Sequence, residues 1–170
     1  PFLVNQAQYV VAALEHKGEP FRLGIIPTAH LPKYFVFTLD NRKKVVFTAD
    51  MVCHHASKLF GSQKATERVL LRVTRNADLS PSETMFDYDG DFRGTMEELL
   101  KKRRRLAVVR VQTSAPLSDK LRAALCDKLS IKPKRIVAQS IPLDFSFGFS
   151  LPDQLGDLAK GLLYAPRTSG

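Results

Sequence analysis

The stretch ERVLLRVTR, residues 67–75, has the apolar spacing of a β-strand. Val69, Leu71 and Val73 occupy every second position of it. A period of two is typical of strands, because successive side chains point to opposite faces of a sheet. The rest of the fold is inferred by searching outward from this strand for segments that could pair with it.

Further strands are predicted on both sides of residues 67–75. Two apolar runs, 10–14 and 21–26, flank Gly18, Glu19 and Pro20, which favours a β-hairpin; a helix over 5–16 is the alternative. Residues 33–39 form another predicted strand, and a turn at Asp40 and Asn41 joins it to a short strand over 43–48. Segments 106–112 and 134–140 are the remaining predicted strands.

Helices are predicted from capping residues and from apolar spacing. The first begins with Asp50 as its N-cap and ends at Gly61. A second begins at the capping box Thr95-x-x-Glu98, and a fourth is predicted within 151–166. The third begins at 116–118, and its spacing gives it one apolar face. That face consists of Leu121, Ala124, Leu125 and Leu129.

These elements predict a single α+β domain. We expect a mixed, largely antiparallel sheet of about five to seven strands, with helices packed on its faces. A chain of 170 residues suits one domain with a core of its own. The sequence contains no apolar run of about 18 residues, the length that a membrane-spanning helix requires.

The charge balance of the chain points to an anionic partner. Lys and Arg number 26 against 17 Asp and Glu, which gives a net charge of +9. Five consecutive cations, residues 101–105, follow the predicted helix that begins at Thr95. They cover more than one helical turn, so they cannot all face one ligand. Their position matches the negative end of the helix dipole, and binding of an extended polyanion is the alternative interpretation.

Other candidate sites are weaker. Residues 87–98 resemble a calcium loop, but Phe92 stands where that loop requires Gly, so a solvated acidic loop is the preferred interpretation. His54 and His55 are adjacent on a predicted helix and point about 100° apart, so we expect one ring in the core and one at the surface rather than a shared metal ion. Cys53 and Cys126 predict two free thiols. No metal site and no catalytic residue is predicted.

Aromatic residues alternate along two further segments. KYFVF contains Phe35 and Phe37, and FSFGF contains Phe145, Phe147 and Phe149. Such runs are similar to the aromatic strands of RNA-recognition modules, but the flanking glycines and basic residues of those modules do not align. Buried core aromatics are therefore the expectation.

At LLRVTRNADLS, residues 70–80, the sequence resembles the bacterial polyphosphate kinases, family one, in which this segment is close to (F/Y)R(V/I)TRDADL. Arg72, Thr74 and Arg75 match, as do residues 77–79, whereas Asn76 replaces an Asp. Further similar motifs occur in the same order: IIPTAHLPKYFVF, VVFTADMVCHHASKLF, KKRRR, LAVVRVQ and PLDFS. The resemblance extends from residue 2 to residue 156.

The resemblance implies that residues 1–156 form a middle, or head, domain, and that 157–170 form a helix or linker toward catalytic domains. The enzyme of that family reversibly transfers the γ-phosphoryl group of ATP to polyphosphate through a phosphorylated histidine in another domain. It also implies that the segment alone is inactive, that it binds no cofactor, and that Mg²⁺ and ATP belong to the full enzyme. The expected location is the cytoplasm, or the periphery of a membrane.

The resemblance also implies partners: the other domains of the enzyme, polyphosphate, and a second copy in a homo-oligomer. Nucleic acid is not an expected partner of such a domain. Arg72, Arg75, Arg103, Arg104 and Arg105 are the predicted contacts to polyphosphate or to other domains. An ion pair with Asp78 or with a neighbouring residue is the alternative for Arg72 and Arg75. Two other functions stay open, namely a basic nucleic-acid-binding module and a purely structural dimerisation domain. The first predicts exposed aromatics beside cations, and the second predicts an exposed apolar patch.

Overall fold

The structure, a computed structural model, describes residues 3–15, 21–61, 63–76 and 107–164. Seven strands occur in this part of the chain: β1 Gln8–Glu15, β2 Arg22–Pro27, β3 Tyr34–Leu39, β4 Arg42–Phe47, β5 Lys64–Arg75, β6 Val108–Thr113 and β7 Ile136–Ala138. Five of them form one sheet in the order β2-β1-β5-β6-β7, and β3 pairs only with β4. All pairs are antiparallel except β6 with β7. The predicted mixed, largely antiparallel sheet is confirmed.

Strand β1 lies between β2 and β5, and this position explains its composition. Its side chains are buried on both faces of the sheet: Tyr9, Val11 and Ala13 belong to one core cluster and Val10 to another. A strand that is covered on both sides has no solvent-facing positions, so it reads as a continuous apolar run. The predicted hairpin is confirmed, and the alternative helix over 5–16 is wrong. The turn predicted at residues 18–20 lies outside the described residues.

Helix α2, Asp119–Leu129, covers the face of the sheet to which Tyr9, Val11 and Ala13 point, called the first face below. Ser118 caps its N-terminus, because the Oγ of Ser118 accepts a hydrogen bond from the N–H of Leu121. Leu121 and Leu125 are fully buried, and they pack with Leu71 and other apolar residues from β1, β5 and β6. The predicted apolar face of this helix is confirmed.

Helix α1, Thr48–His55, covers the second face together with Leu143. It begins two residues before Asp50, so the prediction that Asp50 is its N-cap was wrong. Thr48 and Ala49 are buried, and the N–H of Thr48 donates to the carbonyl of Lys33 at 3.1 Å. The carbonyl of Lys33 therefore provides an acceptor for one of the backbone N–H groups at the start of the helix, which have no partner within the helix itself. A 3₁₀ helix, Ala56–Phe60, follows and ends at Gly61, where φ is +62°.

Strands β3 and β4 form a hairpin that is separate from the main sheet. Asp40 and Asn41 both have positive φ, as in a tight two-residue hairpin turn, which confirms the predicted turn. One face of the hairpin packs on the segment that follows Leu143. The rings of Phe47 and Phe147 lie edge to face at 4.7 Å, and the hydroxyls of Tyr34 and Ser150 are 2.9 Å apart.

The C-terminal part of the described chain contains short helices. A 3₁₀ helix, Ser146–Phe149, is followed by α3, Leu151–Leu155, and by a second 3₁₀ helix, Gly156–Leu162. The single helix predicted within 151–166 is interrupted at Gly156, where φ is +60° and helical geometry cannot continue. None of the helices in the described ranges combines the length and apolar character needed to cross a bilayer.

Candidate functional site

Arg72 connects three separate parts of the chain. It lies on β5, where its Nε donates to the carbonyl of Gln6 at 3.0 Å and its Nη1 donates to the carbonyl of Leu143 at 2.7 Å. The guanidinium therefore holds the segment before β1 and the segment before the 3₁₀ helix Ser146–Phe149 against β5. These bonds use two of the five donors that an arginine side chain carries.

Arg75, at the end of β5, makes a similar connection to the N-terminal segment. Its Nε donates to the carbonyl of Leu3 at 2.9 Å, and its backbone N–H donates to Oδ1 of Asn5 at 2.9 Å. Burial lowers the pKa of Arg75 from its ordinary value, and the nearby Tyr9 acts in the opposite direction. Arg72 and Arg75, the two arginines of the segment 70–80, thus bond to backbone carbonyls. Their alternative partner Asp78 lies outside the described residues.

The remaining predicted contacts cannot be compared with the structure. Arg103, Arg104 and Arg105 lie outside the described residues, as do the capping-box helix that precedes them and the calcium-like loop over 87–98. Their assignment as polyphosphate or interdomain contacts stays a prediction.

A groove beside α1 contains a polar cluster that sequence reasoning missed. The Nζ of Lys33 lies 3.5 Å from Oδ2 of Asp144 and donates to the hydroxyl of Ser146. Ser146 in turn donates to Asp144 through its backbone N–H at 3.0 Å and through its hydroxyl at 2.7 Å. Cavities of about 50 and 170 Å³ open on this cluster, and both are lined by Gln8, Lys33, Ala49 and Asp144.

The two carboxylates of the groove differ in their pKa. Burial acts to raise the pKa of Asp144, but the hydrogen bonds from Ser146 and the charges of Lys33 and Arg72 outweigh it, so the pKa lies below its ordinary value. Asp50 has no such partner among the residues that the structure describes, and burial raises its pKa. Asp144 is therefore the firmly ionised member of the pair. The cluster joins a charged lysine to an anchored carboxylate, which is an arrangement for binding or positioning rather than for nucleophilic chemistry.

The only sequence signal for this cluster was the set of quoted motifs. Lys33 lies in IIPTAHLPKYFVF, and Asp144 and Ser146 lie in PLDFS. More than a hundred residues separate Lys33 from its two partners, so neither local spacing nor periodicity could pair them.

The histidines lie differently from the prediction. His54 and His55 are both exposed, so the expectation of one core-facing ring was wrong. They sit at the C-terminal end of α1, beyond the buried first turn, and their rings pack edge to face at 4.8 Å. Among the described residues, no group of three or more His, Cys, Asp or Glu side chains is placed to hold a metal ion.

The two cysteines match the prediction, because Cys53 and Cys126 are free thiols. Burial raises the pKa of Cys53, as does the charge of Asp50 to a smaller extent, while the nearby Arg68 lowers it. A raised pKa leaves less of the reactive thiolate at neutral pH. Cys53 is therefore a packing residue on the second face of the sheet, where it contacts the core cluster around Val10.

The expectation of buried aromatics was also wrong. Phe35 and Phe37 keep 47% and 46% of their surface exposed, and Phe145 and Phe149 keep 57% and 91%. Strand β3 belongs to a two-stranded hairpin with only one packed face, so side chains on the other face stay in solvent. The FSFGF segment forms a 3₁₀ helix instead of a strand, and only Phe147 turns toward the hairpin.

Comparison with known proteins relates this fold to one family. Residues 1–151 match the family model described as the polyphosphate kinase middle domain. The polyphosphate kinase of Bacillus anthracis is 30% identical over 146 residues, which cover 84% of this chain and 20% of that protein. The polyphosphate kinase of Rhodopirellula baltica is 32% identical over 102 residues, which cover 60% of this chain and 12% of that protein. The chain spans less than a quarter of the length of these curated relatives.

A solved structure has the same fold. The crystal structure of polyphosphate kinase from Porphyromonas gingivalis superposes with a TM-score of 0.62 and 15% sequence identity. The match covers 98% of this chain and 23% of that one. The five-stranded sheet and its hairpin therefore recur as one part of a larger protein.

Proposed function

We propose that this chain, which belongs to the polyphosphate kinase middle-domain family, acts as the head domain of an enzyme that reversibly transfers the γ-phosphoryl group of ATP to inorganic polyphosphate. The observation that carries this proposal is the family match over residues 1–151. The relatives that the chain resembles are named polyphosphate kinase, and it spans only a fraction of their length. Its function is therefore to be sought in a larger polypeptide.

In this proposal the phosphorylated histidine and the chemical step belong to other domains. A nucleophilic histidine works best when a hydrogen-bonding partner orients its ring and sets its protonation. His54 and His55 are exposed and pack on each other, and His30 is also exposed. Within the described residues none of the three forms an ion pair with a carboxylate. Mg²⁺ and ATP are likewise assigned to the full enzyme.

The head domain would contribute charge and contact surfaces. A net charge of +9 attracts an extended polyanion, and salt screens that attraction. We assign polyphosphate, interdomain or dimer contacts to Arg72, Arg75, Arg103, Arg104 and Arg105. Arg72 and Arg75 would act through the segments that they anchor, because their guanidiniums already bond to the carbonyls of Leu3, Gln6 and Leu143. A cytoplasmic location is part of the same proposal.

Polyphosphate synthesis from ATP and Mg²⁺ tests the assignment. The assay compares the full polypeptide that contains this chain with the 170-residue segment alone. The full polypeptide should form long-chain polyphosphate and return ATP from ADP and polyphosphate, whereas the segment should do neither. Synthesis by the segment alone, or a folded full polypeptide that fails in both directions, would contradict the proposal.

Binding of fluorescent polyphosphate to the segment across a salt series tests the guiding role separately. Binding should weaken as salt rises, and a triple substitution of Arg103, Arg104 and Arg105 by alanine should reduce it. The exposed Lys132, Lys134 and Arg135 provide the control, since their replacement by alanine removes the same number of positive charges. Equal losses from both sets would indicate that only net charge matters and would remove the specific assignment.

A further inference from the structure

The β3–β4 hairpin leaves one face uncovered, and this face combines aromatic rings with cations. Residues directly opposite each other in an antiparallel pair share a face. The register pairs Phe35 with Val46, Phe37 with Lys44 and Leu39 with Arg42. These six residues form the outward face of the hairpin. The opposite face carries Tyr34 and Phe47, which pack on the segment around Phe147 and Ser150, so the orientation of the hairpin is fixed.

The rings on this face are accessible and regularly spaced. Phe35, Phe37 and Leu39 keep 47%, 46% and 52% of their surface exposed. Residues two apart on a strand are separated by about 7 Å, since each residue adds about 3.4 Å. That is roughly twice the 3.4 Å rise per nucleotide of a duplex strand. The two phenyl rings therefore match bases that have separated from each other along an extended strand, and not the stacked bases of a duplex.

The charges of this face are of one sign. Lys44 lies across from Phe37 in its centre, Arg42 lies toward its tip, and Lys43 extends from the opposite face at the same end. Within the described part of the chain, none of the three forms a salt bridge or a side-chain hydrogen bond. The hairpin segment 34–47 contains one carboxylate, that of Asp40 in its turn. The next carboxylate along the chain, that of Asp50, belongs to α1.

We propose that the outward face of the hairpin binds single-stranded nucleic acid, with Phe35 and Phe37 stacking on bases and Arg42 and Lys44 contacting phosphates. Stacking on aromatic side chains beside a basic groove is the general mode of sequence-tolerant single-strand binding. Inorganic polyphosphate has no bases, so it would use the cations and leave the rings without a role. A protein partner could cover the rings, but it would have to bury Lys44 at the centre of the face and supply a carboxylate for it.

The test is binding of a fluorescent oligothymidylate of about 20 nucleotides, longer than a single site, to the full polypeptide. Replacement of both rings, Phe35→Ala/Phe37→Ala, should weaken binding at least tenfold, because stacking contributes about that much per base. Lys44→Gln should reduce the slope of log affinity against log salt by about 0.7, the amount expected for one phosphate on a single strand. A duplex of the same length should bind more weakly than the single strand.

Matched controls separate the face from the rest of the surface. Phe145→Ala/Phe149→Ala removes two rings that are at least as exposed, and Lys128→Gln removes an exposed charge on α2. Neither should weaken oligothymidylate binding by more than about twofold, and polyphosphate binding should be insensitive to the loss of Phe35 and Phe37. The variants should retain the circular dichroism spectrum and the melting temperature of the parent.

A second substitution distinguishes nucleic acid from a protein partner. Phe35→Leu/Phe37→Leu keeps apolar area on the face but removes the aromatic surface on which bases stack. The proposal expects this variant to lose oligonucleotide affinity while its sedimentation behaviour stays unchanged. It is overturned if the leucine or alanine variants bind the oligonucleotide like the controls. It is also overturned if the alanine variant changes the oligomeric state while oligonucleotide binding is unaffected, because the face is then a protein interface.

Discussion

Loss of the Arg72 side chain should destabilise the fold more than its partly exposed position suggests. The guanidinium donates to the carbonyls of Gln6 and Leu143, so Arg72→Ala removes two hydrogen bonds and disconnects two segments from β5. A hydrogen bond that involves a charged group contributes about 1.5–3 kcal/mol. Because the site is partly open to solvent, we take the low end for each bond and expect a loss of about 3 kcal/mol in the free energy of unfolding.

Urea and thermal unfolding of the 170-residue chain measure this loss. For a chain of this length each kcal/mol shifts the melting temperature by about 2–4 °C, so a decrease of about 6–12 °C is expected. Arg72→Lys keeps the charge but not the fork of donors, and it should fall between the alanine variant and the parent.

Arg110→Ala is the control, since Arg110 is exposed on the neighbouring strand β6 and makes no side-chain hydrogen bond within the described residues. Its effect should stay within about 0.5 kcal/mol. If the free energies of unfolding of Arg72→Ala and Arg110→Ala agree within that margin, the anchoring role of Arg72 is refuted.

Three further predictions concern packing, capping and pH. A Cβ at Gly24 would lie 2.6 Å from the ring of Phe60, so Gly24→Ala should cost about 1–3 kcal/mol in urea unfolding, and Phe60→Leu should recover part of it; simple additivity of the two would contradict this. Ser118→Ala removes the cap of α2 and a hydrogen bond to Glu67 and should cost about 1–2 kcal/mol, whereas Ser118→Thr, which keeps the hydroxyl, should restore most of it; equal losses would exclude capping. The pKa of Asp144 is lower in the folded protein than its unfolded value of about 3.9. The carboxylate therefore stabilises the fold above that unfolded pKa, and this stabilisation is lost as pH falls through the folded pKa. Asp144→Asn should reduce the loss of stability at acid pH, measured by urea unfolding across a pH series. Burial raises the pKa of Asp50, which has the opposite effect on the pH dependence, so Asp50→Asn should increase the loss of stability at acid pH. If both variants changed the pH dependence of stability in the same direction, these assignments would be wrong.

Elements with a strong period were predictable from the sequence. Strand β5 follows from the alternation of Val69, Leu71 and Val73, and α2 from the spacing of Leu121 and Leu125, because in both cases one face of the element meets the core. The start of α1 was not predictable, because the N–H of Thr48 donates to the carbonyl of Lys33, which lies just before β3 and is distant in sequence. Pairing of distant segments leaves no local signal.

The prediction that the aromatic residues are buried was wrong for a related reason. The alternation of Phe35 and Phe37 predicts a strand correctly, but burial depends on whether another layer covers that strand. Strand β3 joins only β4, and only one face of the pair meets the segment around Phe147. The resemblance to a known family supplied what the spacing could not, namely the motifs that contain Lys33 and Asp144.

The location of the phosphorylated histidine decides whether this chain is a non-catalytic head domain. The full polypeptide would be incubated with γ-labelled ATP and Mg²⁺, digested under alkaline conditions that preserve phosphohistidine, and analysed by mass spectrometry. We expect a labelled histidine outside this chain, and undiminished labelling when His16, His30, His54 and His55 are all replaced by glutamine. Label on any of these four, or loss of labelling in a folded quadruple variant, would contradict the assignment of the chain as a non-catalytic head domain.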